Sequence, residues 1–427
     1  MDIREIIRAD AKKLILANYQ ANNQSHIPLS WPHYQDQILW ESGANAIIAQ
    51  ELGMTDLAKN EILRVLQFQQ PEGWIPNVMG KQKQNRNGRM VGSKLIGLKD
   101  LNHPQWWSSY SQPSILARTL DWINEPTFTQ QVFPKIVKHY LYFIQHRDPD
   151  NDGLVSLIHP HETSRDASPD FDKMLDKILL PGLIGRKLNL KLHYLSIIKL
   201  NWYLRTAKWD PELILAKHIF DFEDPQFISV WIEELRTLAK LCPEFVTARL
   251  WESLASQAKD ALIELCWDKN DKFFYPLDWQ NRKIKSPTIA GLFPLIIRDL
   301  PKEMADSLVE HLTDSKEFWT DYPIPSVSKK HPRFDPEDNS GHLRGASWIY
   351  WNWHIVTGLL RHGYREIAEK IIENDFKKIE INRRLRGTGW WEKYHPFTGD
   401  GLREESKNFS TSALVVSYPT LILKEGS

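Results

Sequence analysis

The chain has 427 residues, of which 42% are hydrophobic and 25% charged, and its 54 basic side chains balance 54 acidic ones. This length accommodates one large domain or about two or three of roughly 150 residues each. The balanced charge argues against nucleic acid or an anionic membrane surface as a partner. No apolar run approaches the roughly 20 residues of a membrane span.

Apolar residues recur at helical spacing along most of the chain, beginning with a charged amphipathic helix over 1–20. Two short strand patterns, 153–158 and 272–277, are each predicted as half of a small hairpin. No low-complexity linker separates the helices, so we expect a single domain over 1–427. The further helical segments are 42–69, 112–146, 190–206, 226–241, 249–266, 301–313, 345–361, 364–378 and 408–423.

Several helices end in a similar way, with a polar turn and then a short aromatic or aliphatic stretch. Such regular exits predict a toroid of helical hairpins with long loops on one face, and an irregular helical bundle is the alternative. The exits are PEGWIPN (71–77), DNDGLVSL (150–157), KNDKFFYP (269–276) and RGTGWWEKYHP (386–396).

The densest polar loop is HPHETSRDASPDFD, residues 159–172. Asp166 lies there between Arg165 and a small alanine, followed by a Ser-Pro turn, an arrangement that can direct one carboxylate into a cavity. Asp170 and Asp172 are predicted to cap the next helix.

A second acidic residue stands among aromatic ones in GTGWWEKYHPFTGDG, residues 387–401, where Glu392 follows two tryptophans. The chain has 18 tryptophans, and their flat faces suit sugar rings or a Trp-rich core. Two carboxylates across a pocket are what hydrolysis of a glycosidic bond requires. Surface or helix-capping acids are the alternative for both Asp166 and Glu392.

Further candidates for holding a sugar lie near aromatic residues. Arg344 and Trp348 belong to SGHLRGASWIYWNWHI, residues 340–355, where an ion pair is the structural alternative for the arginine. Trp40 and Glu41 repeat the pairing of an aromatic residue with an acid. Gln112 precedes another helix and is suited to donate to a hydroxyl or to cap that helix.

The sequence predicts no metal ion and no cofactor. Asp148, Asp150, Asp152 and Gly153 match the first half of a calcium loop, but His159 stands where the bidentate glutamate belongs. The histidines around Pro160 lack the helical spacing of a zinc site. No Gly-rich phosphate loop or nucleophile elbow occurs.

These segments resemble glycoside hydrolase family 63, in particular its small members that hydrolyse mannosylglycerate and glucosylglycerate. The resemblance extends from about residue 31 to 416 in constant order. The matching segments are GWIPN (73–77), RDPDNDGLVSLIHPHETSRDASPDFD (147–172), FWTDYPIPSVS (318–328), LRGASWIYWNW (343–353), and WWEKYHPFTG (390–399) followed by NFSTSALV (408–415).

The resemblance implies an all-α (α/α)6 barrel and inverting, exo-acting hydrolysis of a small α-linked hexoside. Asp166 falls at the position of the family's general acid and Glu392 at that of its general base. Loop or lid insertions are expected around 80–110, 159–190 and 318–344. The residues expected to bind the substrate are Trp40, Glu41, Gln112, Arg344, Trp348 and Trp391.

The chain also departs from the family pattern. Glu41, Asn77, His161, Ala167 and Ala346 stand where Asp, His, Trp, Asn and Pro are usual. A trehalase-like or oligosaccharide α-glucosidase, and a sugar-binding protein without turnover, therefore remain as alternatives. We expect a small-molecule glycoside as the partner and allow a homo-oligomer.

The cysteine content agrees with a reducing compartment. Cys242 and Cys266 are the only cysteines, and both lie in helical patterns as expected for free thiols. The charged N-terminal helix does not match a signal peptide. We therefore expect a cytoplasmic protein.

Overall fold

The computed structural model describes residues 3–21, 26–81, 98–99, 105–179, 190–337 and 344–426, and helices dominate them. The α-helices are α1 (Ile3–Ala21), α2 (Leu39–Glu51), α3 (Thr55–Leu66), α4 (Leu116–Ile123), α5 (Pro126–His146), α6 (Asp172–Leu179), α7 (Leu190–Thr206), α8 (Pro211–Ala216), α9 (Pro225–Leu241), α10 (Phe245–Ala261), α11 (Lys302–Thr313), α12 (Ile349–Arg361), α13 (Arg365–Arg386) and α14 (Tyr418–Glu425). The 3₁₀ helices are Pro160–Thr163, Pro169–Phe171, Ile289–Ile296, Glu404–Ser406 and Ser410–Ser417, and one π-helical turn, Leu262–Cys266, extends α10.

The predicted helical segments are confirmed, but three of them are divided. Segment 408–423 contains the 3₁₀ helix Ser410–Ser417 followed by α14. Segment 42–69 contains both α2 and α3, which separate at Gly53, where φ is 73°. Segment 112–146 contains α4 and α5, which separate at Asn124, a left-handed residue with φ of 54°. Left-handed conformations end helices, and glycine and asparagine adopt them at the lowest cost.

A closed inner ring of six helical segments forms the centre of the described chain. Going around the ring, α2 contacts α4, then α9, Ile289–Ile296, α12 and Ser410–Ser417 follow, and the last segment returns to α2. Outer helices pack against these members in the same order, as α3, α5, α10, α11, α13 and α1. The fold is therefore an (α/α)6 barrel, as the resemblance implies.

Burial distinguishes the inner helices from the outer ones. Helix α9 is buried over almost its whole length, whereas α10 buries only one stripe. Small residues allow the inner members to approach closely: a Cβ atom at Gly43 of α2 would lie 2.4 Å from the Ile115 side chain. Inner helices of the barrel are thus apolar on most sides, whereas outer helices are apolar mainly on the side that packs against the inner layer.

Short strands lie between the helices: β1 (Gln37–Ile38), β2 (Val78–Lys81), β3 (Leu98–Lys99), β4 (Gln105–Ser108), β5 (Ser156–Leu157), β6 (Phe222–Glu223), β7 (Trp267–Asp268), β8 (Phe273–Phe274) and β9 (Leu277–Asp278). Strands β1, β2, β4 and β3 form one sheet in that order, β5, β6 and β9 form a second, and β7 pairs with β8. The hairpin predicted for 272–277 is confirmed, because β8 pairs with β7, but 153–158 is not half of a hairpin, because β5 pairs with the distant β6.

The four polar exits noted in the sequence each follow an outer helix: α3, α5, α10 or α13. Two of them, 71–77 and 386–396, contribute residues to a cavity at the end of the barrel where inner helices begin. Parts of the expected insertions, 82–97, 100–104, 180–189 and 338–343, lie outside the described residues.

Cys242 and Cys266 are free thiols. Among the helices described, none combines the length and apolar character needed to cross a bilayer.

Candidate active site

A cavity of about 400 Å³ opens at the end of the barrel where inner helices begin. The first turn of α2, the residue that caps α12 and the first turn of Ser410–Ser417 all contribute to its wall. Its size is in the range of pockets for small molecules. The lining residues used below are Tyr34, Trp40, Glu41, Gln112, His161, Ser164, Asp166, Trp348, Glu392, Lys393, Arg403 and Glu405.

Asp166 lines this cavity with half of its side chain exposed, while its neighbours are fixed in the protein. The preceding Arg165 is buried and forms ion pairs with Asp170 and, at 2.6 Å, with Asp224. The following Ala167 accepts a hydrogen bond at its carbonyl oxygen from Nε of Arg344, at 2.8 Å. The Asp166 carboxylate is thus accessible from the cavity, while contacts of the neighbouring residues hold its backbone in place.

Glu392, which lies in the C-terminal part of the sequence, lines the same cavity. Its backbone N–H donates to the carbonyl oxygen of Ser406 at 2.9 Å, which anchors the segment. The Tyr34 hydroxyl donates to Oε2 of Glu392 over 3.4 Å. The negative charge of Glu392 is the main cause that raises the pKa of Tyr34 above its ordinary value, so Tyr34 remains a donor.

Glu41 is a third carboxylate in the cavity. Its Oε2 atom is buried and has no hydrogen-bond partner among the described residues. Burial, together with the negative charges of Asp166 and Glu392, raises the pKa of Glu41 to about 8. At neutral pH this side chain is therefore mostly a neutral acid that can donate a hydrogen bond.

The predicted sugar-binding residues Trp40, Gln112 and Trp348 also line the cavity. The Trp40 ring stacks on His354 with 5.1 Å between ring centroids, and its backbone N–H donates to Oε1 of Gln112 at 3.2 Å. The amide nitrogen of Gln112 donates to the Ser164 hydroxyl. Local contacts thus orient these side chains before any ligand binds.

Arg344 and Trp391 are not among the residues that line the cavity. Arg344 forms a two-pronged ion pair with Asp172, with N···O distances of 3.0 and 2.6 Å. Trp391 is 1% exposed and packs so closely on Gly401 that a Cβ atom there would lie 2.1 Å from the indole. Both support the segments that carry the carboxylates. Asp172 is therefore an ion-pair partner as well as the first residue of α6.

The cavity residues that sequence reasoning missed include Tyr34, Arg403 and Glu405. Tyr34 lies in the same loop as Trp31, a few residues before the predicted pair at 40 and 41, and this proximity was the available clue. No pattern in the sequence marks Arg403 or Glu405. They reach the cavity because the chain turns back after 387–401.

Two departures from the family pattern meet beside the cavity. The side-chain amide of Asn77 donates to the backbone carbonyl oxygen of His161 at 3.1 Å. The His161 ring contacts the Tyr110 hydroxyl at 3.0 Å and lies 3.8 Å from Asp166. These unusual residues thus form one connected wall next to a carboxylate.

Comparison with known proteins identifies the family of the chain. The family model described as the mannosylglycerate hydrolase MGH1-like glycoside hydrolase domain matches residues 34–412. The chain belongs to this family. It is therefore a glycosidase.

Members of this family and related hydrolases match over most of their length. Mannosylglycerate hydrolase of Thermus thermophilus is 26% identical over 421 residues, which cover 91% of this chain and 94% of the relative. Glucosylglycerate hydrolase of Mycolicibacterium hassiacum is 21% identical and covers 96% of this chain and 97% of its own. The crystal structure of a GH63 mannosylglycerate hydrolase from Thermus thermophilus in complex with Tris and D-glycerate superposes with a TM-score of 0.82 at 22% identity, covering 97% of this chain and 100% of that one.

The raised pKa of Glu41 predicts that Glu41→Gln stabilises this glycosidase increasingly as pH rises. In the folded chain the carboxyl keeps its proton up to about pH 8, whereas its ordinary pKa is 4.5. Between these pH values the folded state binds more protons than the unfolded state. The free energy of unfolding of the wild type therefore falls by up to about 1.4 kcal/mol per pH unit, whereas that of the variant does not.

Urea unfolding from pH 5 to pH 8 measures this effect. The stability difference between Glu41→Gln and wild type is expected to widen with pH. Glu404→Gln, which changes an exposed acid that pairs with Lys407, is the control. A stability difference between Glu41→Gln and wild type that does not change with pH would contradict a protonated Glu41 in the folded chain.

Proposed function

We propose that the protein hydrolyses a small α-linked hexoside, such as mannosylglycerate or glucosylglycerate, with inversion at the anomeric carbon. Asp166 acts as general acid and Glu392 as general base. The observation that carries the proposal is that both carboxylates line one cavity and both act electrostatically on Glu41 and Tyr34. A pair of acids across a small pocket is the requirement of glycoside hydrolysis.

In the proposed reaction, Asp166 donates its proton to the glycosidic oxygen as the bond to the anomeric carbon breaks. Its half-exposed position lets the leaving glycerate depart towards solvent. The fixed neighbours Arg165 and Ala167 hold the carboxyl in one place, so little ordering is needed during the reaction.

Glu392 accepts a proton from a water molecule that attacks the anomeric carbon from the opposite face. Tyr34 donates to Oε2 of this carboxylate, and the attacking water donates to the other oxygen in the proposed reaction. The hydrogen bond from Tyr34 fixes the orientation of the base. The products are a free sugar of inverted configuration and an alcohol.

The remaining wall of the cavity matches a sugar and an anionic aglycone. Trp40 and Trp348 offer aromatic faces, while Gln112 and protonated Glu41 offer hydrogen-bond donors for hydroxyls. Lys393 and Arg403 add positive charge near the acids, and Arg403 is suited to a carboxylate. The two cations thus favour a charged glycoside over a neutral disaccharide.

Proton NMR tests this proposal with mannosylglycerate, glucosylglycerate and trehalose offered separately. We expect release of β-mannose or β-glucose from one of the two glycerates before mutarotation, because the water attacks opposite the leaving group. First appearance of the α-anomer would instead establish retention.

The same experiment separates the two alternatives. Turnover of trehalose alone would favour a trehalase-like α-glucosidase. Binding of either glycerate without turnover would favour a sugar-binding protein.

A cytoplasmic location and activity without a cofactor complete the proposal, which also allows a homo-oligomer. The two free thiols support a reducing environment. Activity that survives exhaustive chelation, and the mass in solution by light scattering, test the last two points.

A further inference from the structure

A second cavity, of about 310 Å³, lies beside the outer helix α5. Its wall comes from the exit 71–77, the residues that follow β4, the end of α5 and the segment from Lys208 to the first turn of α8. Among the described residues, none lines both this cavity and that of Asp166 and Glu392. The volume is at the lower end of the range of small-molecule pockets, so it suits a ligand of about one sugar ring.

Aromatic side chains form part of the wall of this second cavity. Trp74 is 8% exposed and packs on Tyr142 with 6.2 Å between ring centroids. Tyr110 is buried, and the half-buried Trp209 ring lies 6.0 Å from it. Flat aromatic faces suit the C–H faces of sugar rings.

The backbone holds Trp209 at the cavity in an unusual conformation. Lys208 and Trp209 both have left-handed backbone angles, with φ of 56° and 60°. A side chain with a Cβ atom disfavours this region, and glycine or asparagine would end α7 at a lower cost. The backbone N–H of Trp209 donates to the Leu204 carbonyl oxygen at 3.0 Å, so the end of α7 fixes this geometry. Strained residues of this kind cluster where a side chain has to be presented to a ligand.

A buried hydroxyl without a partner belongs to the same wall. Ser109 is 4% exposed, and its Oγ atom has no hydrogen-bond partner among the described residues. The neighbouring Ser111 hydroxyl, by contrast, donates to the Ile75 carbonyl oxygen at 2.7 Å. A buried hydroxyl that lacks a hydrogen bond costs free energy, and a ligand with hydroxyl groups can supply the missing bond.

The mouth of the cavity carries more acidic than basic side chains. Glu72, Asp210 and Glu212 are exposed there together with Lys208. One oxygen of Glu212 lies 3.0 Å from Nδ1 of His146. Carboxylates accept hydrogen bonds from the hydroxyls of a neutral sugar but repel an anion such as glycerate.

The positive charge deeper in the cavity is already compensated. Arg147 is 1% exposed and forms an ion pair with the buried Glu162. Its Nε atom donates to the Ser156 carbonyl oxygen at 2.9 Å. The guanidinium therefore does not make the cavity a site for anions, and the wall as a whole favours a neutral ligand.

We propose that this second cavity binds a neutral hexose, the class of molecule that the proposed reaction releases. In this site the sugar ring packs on Trp209, the Ser109 hydroxyl bonds to one of its hydroxyls, and Glu72 accepts from another. Binding involves no catalytic step, so it can be measured separately from the proposed hydrolysis.

Trp209 is the side chain to change, because Tyr110 also supports the other cavity. The Tyr110 hydroxyl contacts Nδ1 of His161 at 3.0 Å, and His161 lies 3.8 Å from Asp166. Trp209 does not line the cavity of the proposed catalytic pair. Trp209→Leu therefore removes an aromatic face without changing a residue of the proposed reaction.

Fluorine NMR of the full chain labelled with fluorotryptophan tests the site, with D-mannose, D-glucose and D-glycerate as separate probes. Single tryptophan substitutions assign the resonances. We expect the resonances of Trp74 and Trp209 to shift saturably with at least one of the hexoses and to shift little with glycerate. Trp279, which is 45% exposed and stacks on His218, lines neither cavity and is the control whose resonance stays in place.

Two variants assign the contacts to the sugar. Trp209→Leu is expected to raise the Kd for hexose, read from the Trp74 resonance, by about tenfold. Glu72→Gln, at an exposed position with little risk to folding, is expected to raise it several-fold because an acceptor loses its charge. Glu404→Gln, an exposed acid outside both cavities, is the matched control and keeps the wild-type Kd.

Several outcomes would overturn the proposal. Resonances of Trp74 and Trp209 that stay in place with both hexoses would do so, as would shifts that grow linearly and equally at Trp279. Shifts with glycerate as large as those with hexose would show an anion site instead. A wild-type Kd in Trp209→Leu or, if that variant does not fold, in Glu72→Gln would also contradict the assignment.

Discussion

Asp166→Asn is expected to lower kcat on the hexosyl glycerate about 10³-fold while leaving hydrolysis of the corresponding α-hexosyl fluoride within a few-fold of wild type. Glycerate leaves as an alkoxide and needs a proton, whereas fluoride leaves without one. The asparagine keeps the size of the side chain and the fixed positions of its neighbours. The loss therefore reports the missing proton and not a displaced loop.

The second carboxylate predicts the complementary result. Glu392→Ala is expected to lose about 10³-fold on both substrates, because a water molecule must be deprotonated in each reaction. Added azide, which needs no base, is expected to restore turnover of the fluoride and give the β-azide. Glu404→Gln, a nearby exposed acid that pairs with Lys407, is the control and keeps wild-type rates.

Initial rates by NMR and fluoride electrode measure both variants. An Asp166→Asn variant that loses both substrates equally, or a Glu392→Ala variant that azide does not rescue, would contradict the assignment of acid and base. If both variants kept full activity, the reaction would have to use other carboxylates of the cavity, of which Glu41 and Glu405 are the candidates.

A toroid of helical hairpins could be predicted from the repeated polar turns of the sequence, and the resemblance to glycoside hydrolase family 63 implied the (α/α)6 barrel. Helix α9 is buried on all sides and α10 on one stripe, and the polar turns after the outer helices repeat. The two inner members Ile289–Ile296 and Ser410–Ser417 are 3₁₀-helical, and this was not predicted. Pro294 inside the first of them removes a backbone donor, so a regular α-helix is disfavoured there.

The candidate site was predictable only where a segment had an unusual composition. Asp166 and Glu392 stand in dense, polar or aromatic loops, and the structure brings them to one cavity. Arg403 and Glu405 stand in ordinary surroundings and reach it through the course of the chain. Arg344 illustrates the reverse case: its motif is distinctive, but its guanidinium is engaged by Asp172. A distinctive motif identifies a constrained residue without telling whether the constraint is catalytic or structural.

The pairing of buried charges next to Asp166 predicts the largest effect on stability. Arg165 is 1% exposed and lies between Asp170 and Asp224, whose side chains are fully buried. Arg165→Met fills a similar volume but leaves two buried carboxylates without their cation. Breaking a buried ion pair from one side lowers the free energy of unfolding by about 3–5 kcal/mol.

The loss of unfolding free energy in Arg165→Met is expected to depend on pH. Burial raises the pKa of Asp224 to about 6, above its ordinary 3.8, even though the charge of Arg165 lowers it. An acid with a raised pKa destabilises the fold as pH rises from the ordinary pKa to the raised one, and removal of Arg165 extends this window upward. The destabilisation by Arg165→Met is therefore expected to be larger at pH 7.5 than at pH 5.

Urea unfolding at both pH values, with two further variants, measures this prediction. Arg165→Lys keeps one positive charge but cannot bridge both aspartates, so an intermediate loss is expected. Arg282→Met removes the partner of Asp278 at the surface, where the arginine side chain is 58% exposed, and is expected to leave the unfolding midpoint close to that of wild type. Equal unfolding midpoints for Arg165→Met and Arg282→Met would show that the segment carrying Asp166 is held by packing alone. The position of the proposed acid would then not depend on the ion pairs beside it.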